Sequence, residues 1–425
     1  MPDNGDWISD VFDSIEHVET PRSWIWFSLC SAVSAAAANN YYMMVLKGTV
    51  MIKPNIYVIL LGESGLGKEF PIYIAQELVQ RAEVTRVISG RSSIQAIVKE
   101  LSTAKTRPDK PPIVDSRAFL VNGELSTAII KDPDALTLLT DLYDRKTKWS
   151  NRLKGSGEEQ LKDTYITALF GSSYAHFHAS IPQENIEGGF IGRIFVVEET
   201  KLFQQTDLFE PEEEGKDIID EIAKKFVPHL EQINKKSGRI IPNAESMEFF
   251  NNWRRKWREE NPPGIDKTGF KPRVPFHVLK IAMCLVLSNY ESLKTLVMTR
   301  EHIEEAIEKV TSLAYGTQKL TDGKGLDQFS VQQKMVLDFL INAEENCLTR
   351  KQLLVKGYGN YSSPILDQIL DNLLEVNWIR RERVFAGKNS DWNIFLSGKP
   401  LSEYVRFLEQ AKAAKIRHQL QKERV

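Results

Sequence analysis

The sequence predicts an α/β protein with a parallel β-sheet covered by helices on both faces. The first observation is the almost continuous apolar run at residues 55–61, typical of a strand buried on both faces. The second is the Gly-rich stretch at 62–68, which follows that run directly. The third is the alternation of further apolar runs with helical patterns as far as about residue 200.

The other elements follow in chain order. Residues 20–40 predict a buried, Ala-rich helix with Thr20 as N-cap and Pro21 as its first residue. Residues 23–46 carry no charge, but Asn39 and Asn40 argue against a membrane span because each would lie unpaired in lipid. Further strands are expected at 84–88, 117–121, 164–170 and 195–197, and helices at 72–79, 92–101, 246–258, 275–288 and 299–315.

Composition bounds the function. The chain has 425 residues, of which 42% are hydrophobic and 26% charged, as in soluble globular proteins and unlike disordered or collagenous chains. The net charge of -2 excludes a bulk polycation, so nucleic-acid contacts must come from local patches. Residues 376–425 hold 11 Lys and Arg against 5 Asp and Glu, a basic appendage on an acidic body. The three cysteines are scattered, which predicts a protein of the reducing cytoplasm without a zinc site. The acidic N-terminus predicts that there is no signal peptide.

The stretch at 62–68 has the GxxxxGK spacing of a phosphate-binding loop between a strand and a helix. Glycines let the backbone N–H groups turn towards phosphate oxygens, and the start of the next helix adds its positive dipole end. Lys68 would neutralise the β- and γ-phosphates. The nucleotide-binding candidates are Gly62, Glu63, Ser64, Gly65, Leu66, Gly67 and Lys68. The alternative is a tight turn that binds nothing.

Two positions depart from the usual P-loop pattern. Glu69 stands where Ser or Thr normally gives a hydroxyl to Mg²⁺. Gly123 stands where an acidic strand end normally has Asp, while Glu124 keeps the place of the residue that polarises the attacking water. We expect Glu69 and Glu124 to share the Mg²⁺, since carboxylate oxygens suit this ion. The alternative is a decayed site that binds nucleotide but hydrolyses it poorly.

Five further segments carry a resemblance: residues 54–58, residues 138–144 followed by Trp149, residues 166–172, residues 188–194 and residues 273–282. With the phosphate loop, their order resembles that of the phage- and plasmid-type replicative helicases, the primase-helicase-associated P-loop ATPases of the AAA+/RecA-like type. The resemblance covers most of residues 5–320. It implies a P-loop NTPase core in a bacterial or archaeal host cell.

The resemblance also implies an activity, that of an ATP-dependent DNA helicase or translocase. ATP with Mg²⁺ would be hydrolysed at subunit interfaces of a ring, hexameric in the family, on single-stranded or forked DNA. Ser172 or Ser173 would sense the γ-phosphate, and Arg193 would enter the neighbouring subunit's site; the alternative for Arg193 is an intrachain salt bridge. Arg273 and Lys280 would reach the phosphates from the same chain, or else belong to the core. Any priming activity would belong to a partner primase.

Five segments are expected: an N-terminal helical segment at 1–50, the ATPase core at 51–203, an all-α lid at 204–325, a winged-helix domain at 326–398 and a basic helix at 399–425. The winged-helix pattern is three helical stretches, at 330–343, 349–355 and 362–376, followed by strand-like runs at 378–385 and 392–396.

Two basic groups are candidates for nucleic-acid contact. The expected wing carries Arg380, Arg381, Arg383 and Lys388, although a winged helix can also dock protein. Arg254 and Arg255 lie in a segment that interleaves tryptophans and cations, as in single-strand binding surfaces. The alternative for that segment is a helix with buried tryptophans and a solvated basic face.

Two other functions stay open on the sequence. One is a nucleotide-switched DNA-binding initiator or helicase loader with weak or no ATP hydrolysis. The other is a P-loop scaffold of mobile-element defence or regulation, which would assemble without ATP and bind no DNA.

Overall fold

The computed structural model describes residues 5–15, 17–90, 93–107, 110–125, 133–144, 148–153, 157–180, 189–206, 218–262, 266, 268–321, 328–343, 346–375, 377–386 and 389–397. The chain forms two compact units, one ending at Asp322 and the other beginning at Gly323. This division lies three residues before the boundary predicted between the segments 204–325 and 326–398.

The strands of the first unit are β1 Tyr41–Val45, β2 Val50–Ile52, β3 Tyr57–Leu61, β4 Arg86–Ser89, β5 Ala104–Arg107, β6 Lys110–Val114, β7 Arg117–Asn122, β8 Lys148–Leu153, β9 Gly157–Lys162, β10 Tyr165–Ser172, β11 Ile194–Glu198, β12 Gly238–Arg239, β13 Ile241–Pro242 and β14 Val297–Met298. Its helices are α1 Trp7–Asp13, α2 Arg22–Ala37, α3 Glu69–Arg81, α4 Ile94–Ser102, α5 Pro133–Asp144, α6 Tyr174–Ser180, α7 Ile218–Lys235, α8 Ala244–Glu260, α9 Phe270–Ser288, α10 Ser292–Thr295 and α11 Arg300–Thr321.

The centre of this unit is a five-stranded, all-parallel sheet in the order β11-β3-β10-β7-β4. Every residue of β3 and β10 is buried, as the apolar run at 55–61 predicts for its strand. On one face, Val58 and Leu60 join a core with α2 and α3. On the other, Tyr57, Ile59 and Leu61 join a core with α4 and α5. The prediction of a parallel sheet with helices on both faces is confirmed.

Helix α2 is the predicted Ala-rich buried helix, and all of its residues from Trp24 to Ala37 are buried. Its predicted cap is wrong: Pro21, with an extended ψ of 130°, occupies the N-cap position and gives no side-chain cap. Thr20 therefore lies outside the helix, where its hydroxyl donates to the Gly67 carbonyl oxygen at 3.4 Å. None of the described helices combines the length and apolar content that a membrane crossing needs.

The helices between residues 218 and 321 pack on this sheet layer, because α7, α9 and α11 share one hydrophobic core with α2. Helix α9 begins at Phe270, five residues before its predicted start, after Gly269 in the left-handed region (φ 69°). Short strands interrupt this helical region: β12 pairs with β1, and β13 pairs with β14. The acidic residues 207–217 lie outside the described part.

The second unit contains α12 Gln328–Ile341, β15 Cys347–Thr349, α13 Arg350–Lys356, α14 Ser363–Glu375, β16 Ile379–Ala386 and β17 Asn389–Leu396. Its strands form an antiparallel sheet in the order β15-β17-β16. Leu340, Leu366, Ile369 and Ile394 lie in its separate hydrophobic core. The hairpin and three helices agree with the predicted pattern, whereas the three-residue β15 was not predicted. The predicted tail helix at 399–425 lies outside the described residues.

Candidate nucleotide-binding site

The phosphate loop joins β3 to α3, and its shape depends on three glycines. Gly65 and Gly67 have φ of +91° and +75°, values that L side chains rarely adopt. At Gly62 a Cβ atom would lie 2.6 Å from the Glu199 carbonyl oxygen and 2.8 Å from the Trp24 ring. Gly65 has open space around it, so its backbone is accessible to a ligand.

Lys68 is directed into this loop. Its side chain is buried, and its Nζ donates to the carbonyl oxygens of Gly62 at 2.9 Å and Glu63 at 2.7 Å. The Nζ also lies 5.7 Å from the centroid of the Trp24 ring. Burial lowers the pKa of Lys68, and Glu69 and Glu124 oppose that shift. The ammonium group is therefore held beside the loop amides that an anionic ligand would contact.

The start of α2 supports the loop, which the sequence did not indicate. Trp24 Nε1 donates to the Val197 carbonyl oxygen at 2.9 Å, and Ser23 Oγ donates to Glu199 Oε1 at 2.6 Å. Thr20 contacts Gly67, as described above. The partners lie between 47 and 176 residues apart in the chain, so no local pattern could reveal them.

Glu124 follows the end of β7, next to the end of β10, because Leu125 N donates to the Gly171 carbonyl oxygen at 2.7 Å. The Glu124 carboxylate is exposed and lies 3.3 Å from His176 Nδ1, a partner that we did not foresee. A Cβ atom at Gly123 would have nothing within 4 Å, so this position has room for a side chain.

The two predicted sensor serines lie between the loop and Glu124. Gly62 N donates to the Ser172 carbonyl oxygen at 3.3 Å, which ties the loop to the end of β10. Ser172 is buried, and its Oγ donates to the Ser173 carbonyl oxygen at 3.1 Å. Ser173 Oγ accepts from His176 N at 3.3 Å at the start of α6. Lys68, Glu124, Ser172 and Ser173 are thus brought together at one edge of the sheet.

The carboxylates of this edge suit a metal ion that arrives with a nucleotide. Glu69 is exposed at the first position of α3, and Glu124 is exposed across the loop. No group of three or more His, Cys, Asp or Glu residues in the described part of the chain could hold a metal ion. Mg²⁺ is commonly held by one or two carboxylates together with substrate phosphates and water. Glu69 and Glu124 are therefore the residues of this edge that could hold a magnesium ion arriving with a nucleotide.

Arg193 lies at the other edge of the sheet, just before β11 begins. Its Nε and Nη2 donate to the two carboxylate oxygens of Asp144, at 3.1 and 2.5 Å. Its Nη1 donates to the Gly189 carbonyl oxygen at 2.7 Å. In the single chain Arg193 therefore forms an intrachain salt bridge, which is the alternative that the sequence left open. To contact a nucleotide of a neighbouring subunit, Arg193 would have to leave Asp144. Gly188 lies outside the described residues.

Arg273 and Lys280 lie near Arg193, and the structure does not bring them together with Lys68. Arg273 Nη1 donates to the Gly269 carbonyl oxygen at 2.8 Å, and burial followed by the charge of Arg193 lowers its pKa. Lys280 Nζ donates to Asn55 O at 2.8 Å and Oδ1 at 2.7 Å. Asn55 precedes β3 while the phosphate loop follows it, so about 17 Å of strand separates them. Reach to the phosphates of the same chain is not supported for either cation.

A cavity of about 210 Å³ lies at this second edge, and its walls include Lys53, Asp144, Arg273, His277 and Lys280. We call residues 62–69, 122–124, 172–176 and 198–199 the carboxyl edge. We call residues 53–55, 143–144, 189–193 and 273–280 the amino edge.

The arginines of the hairpin β16–β17 do not share one surface. Arg381 and Arg383 pair in register with Ile394 and Trp392, and Ile394 belongs to the core. Arg381 also lies 3.2 Å from Asp371. Arg380 stands opposite Phe395 on the other face, 3.3 Å from Glu382. Lys388 lies outside the described residues, so the predicted wing patch is seen in part and is divided between two faces.

Two acidic residues of α14 are paired with arginines of the same unit. The Arg350 guanidinium contacts both carboxylate oxygens of Asp367, at 2.6 and 2.7 Å, and lowers the pKa of that carboxyl group. Arg381 pairs with Asp371 in the same way, through one oxygen. The negative charge of this helix is therefore partly offset by arginines of its own unit.

The basic segment of α8 follows the expected alternative of buried tryptophans. Trp257 is 5% exposed, and it stacks on Trp253 with ring centroids 5.9 Å apart. Arg255 donates to Asn252 Oδ1 on its own helix at 2.7 Å. Arg254 instead lies beside an apolar groove.

The sequence matches no protein-family model, and no curated protein resembles it closely enough to count as a match.

Proposed function

We propose that the chain is an ATP-dependent DNA helicase or translocase that works as a ring. The family resemblance implies a ring of six copies. The observation that carries the proposal is the carboxyl edge, where the phosphate loop, Glu124 and Ser172 follow the ends of three adjacent parallel strands. Ligands of parallel sheets bind at this kind of edge.

At this edge, Lys68 and the loop amides bind the β- and γ-phosphates of ATP. Glu124 orients the attacking water, and Ser172 or Ser173 contacts the γ-phosphate. Glu69 and Glu124 hold the Mg²⁺, which supplies positive charge to the phosphate oxygens. Three features of this edge suit a magnesium nucleotide: the left-handed glycines of the loop, the buried Lys68 and the two exposed carboxylates.

The charges of the two edges support assembly of copies head to tail, the arrangement that closes into rings. The carboxyl edge has Glu63, Glu69, Glu124, Glu198 and Glu199 around Lys68. The amino edge has Lys53, Arg193, Arg273 and Lys280 around Asp144. In the ring, Arg193 leaves Asp144 and offsets the charge on a neighbour's γ-phosphate, since guanidinium groups suit that task.

The second unit acts as a winged helix, a proposal supported by its three helices and its antiparallel sheet. Arg380 on one face of the hairpin and Arg383 on the other contact the DNA backbone. A protein partner such as a primase is the other use of this unit.

A second function is favoured by one observation at the same edge. Gly123 carries no metal-binding carboxylate, and Glu124 contacts His176. A chain that binds ATP but hydrolyses it slowly would act as a nucleotide-switched DNA-binding initiator or a helicase loader.

The deciding experiment measures ATP turnover and strand displacement on forked DNA for the wild type, Lys68→Ala, Glu69→Ala and Glu124→Gln. We expect wild-type turnover with Mg²⁺ and strand displacement, both lost in Lys68→Ala and turnover lowered in the two Glu variants. ATP binding without turnover would reject the helicase and the shared Mg²⁺ site, and would favour the loader.

A further inference from the structure

An apolar groove lies between the β1–β2 hairpin and helices α8, α9 and α11, and it shares Phe276 with the cavity of the amino edge. Its volume is about 550 Å³, within the range of ligand pockets. The walls are mainly aliphatic and include Met43, Met44, Val45, Pro242, Met247 and Leu279. Leu46 and Met247, which also line it, are 54% and 47% exposed. The groove thus exposes apolar surface to solvent. Large exposed apolar patches on monomeric proteins usually mark interaction sites.

All charged residues that line this groove are cations, namely Lys47, Arg239 and Arg254. The side chains of these three residues make no hydrogen bond or ion pair in the part of the chain that the structure describes. Elsewhere in the same unit Arg81, Arg117 and Arg193 are paired with carboxylates. The groove therefore concentrates unpaired positive charge at its rim.

Arg254 shows why this charge matters. Burial, and then the neighbouring Arg258, lowers the pKa of its guanidinium. A partly buried cation without a partner is unfavourable, and a carboxylate brought by a ligand would remove that penalty.

The hairpin tip presents two of the lining residues in an uncommon conformation. Leu46 and Lys47 have φ of 50° and 55°, in the left-handed region that non-glycine residues seldom occupy. This turn places an apolar side chain and a cation next to each other at the groove.

We propose that the groove binds an acidic, amphipathic segment of a partner protein, with apolar side chains in the groove and carboxylates on Lys47, Arg239 and Arg254. Methionine-lined grooves adapt to such helices. A single strand of DNA suits it less, because stacking of bases needs exposed aromatic faces, and Phe250 and Phe276 are partly packed against the core. This binding is independent of the nucleotide site.

The test uses fluorescence anisotropy with a labelled helical peptide of about 14 residues, or four turns, carrying Leu at positions i, i+3, i+4 and i+7 and Glu elsewhere. Arg254→Glu is expected to weaken binding by about tenfold or more. Arg255→Glu, on the same helix but outside the groove, is the matched control and is expected to bind like the wild type. Met247→Asp is a second variant expected to weaken binding.

A peptide with Lys in place of Glu is expected to prefer Arg254→Glu over the wild type, and Lys68→Ala is expected to bind the Glu peptide normally. The proposal is overturned if Arg254→Glu and Arg255→Glu bind the Glu peptide equally. It is also overturned if the peptide fails to bind while an oligo(dT) strand binds the wild type and loses affinity in Arg254→Glu.

Discussion

The two edges of the parallel sheet differ in charge and in how that charge is held. At the carboxyl edge a single buried cation, Lys68, lies among exposed glutamates, and its hydrogen bonds are to loop carbonyl oxygens. At the amino edge Arg193 and Arg273 lie close to one carboxylate, that of Asp144, and Lys280 Nζ lies 4.0 Å from the centroid of the Tyr143 ring. On the proposed function, neither edge alone has what ATP hydrolysis needs: the first has a phosphate loop with one buried cation, and the second has several cations without a phosphate loop.

The largest expected effect on ligand binding separates the two edges directly. Lys68→Ala should weaken binding of a fluorescent ATP analogue by about 100-fold, because a charge-assisted contact of up to about 3 kcal/mol is lost. Arg273→Ala at the amino edge should leave the affinity of a single chain unchanged. Equal losses in both variants would show that Arg273 reaches the same chain's nucleotide.

Two glycines of the carboxyl edge make the next comparison. Gly62→Ala should lower the free energy of unfolding by about 3 kcal/mol, since its Cβ would collide with backbone and with the Trp24 ring. Gly123→Ala should change it little, because nothing lies within 4 Å of that Cβ position. Urea unfolding measures both, and a large loss in Gly123→Ala would contradict the open space at position 123.

The amino edge should respond to pH through His277, which is buried against Phe195 and Phe270. Burial lowers its pKa to about 3, below the unfolded value, so the folded state resists protonation. Stability is therefore complete above pH 6.5 and should fall by up to about 1.4 kcal/mol per pH unit as the pH drops towards 3.

Urea unfolding at several pH values checks this slope. His277→Phe should reduce it, while the buried His229, whose pKa is also lowered by burial, keeps a remainder. His176→Gln at the carboxyl edge is the control and should keep the full slope. An unchanged slope in His277→Phe would show that the pH dependence of stability does not originate at the amino edge.

Gly123→Asp tests whether position 123 at the carboxyl edge faces the metal ion. The position has room for the side chain, and the new carboxylate would stand where the usual P-loop pattern has a metal-facing Asp. ATP turnover should rise by about tenfold, equivalent to about 1.4 kcal/mol of transition-state stabilisation. Gly123→Asn is the control without the charge, and an equal rise in both variants would argue against a metal-facing role.

The smallest effect concerns the release of Arg193. Asp144→Asn removes the carboxylate that holds it, so turnover at protein concentrations that favour assembly should rise by about two- to threefold, as expected for a partly exposed ion pair. A decrease at all concentrations would mean that Asp144 positions Arg193 for its task.

The sequence predicted what local patterns encode. The apolar run at 55–61 and the spacing of Gly62 and Lys68 identify a buried strand and its loop without any distant contact. By contrast, Lys280 lies 225 residues from Asn55, and only their hydrogen bond shows that this lysine is a buried core residue at the amino edge. Arg193 and Asp144 are 49 residues apart, and Trp24 and Val197 are 173 apart. Such pairs depend on the order of strands in the sheet, which no local period reveals.

The most direct test of a nucleotide site shared between two edges mixes two variants. Lys68→Ala lacks a working carboxyl edge and Arg193→Ala a working amino edge, so each alone should show little ATP turnover. In a ring assembled from equal amounts, about a quarter of the interfaces combine an intact Lys68 with a neighbour's intact Arg193. We predict that mixing restores about a quarter of wild-type turnover. A mixture that stays as inactive as its components, beside an active wild type, would contradict the shared site.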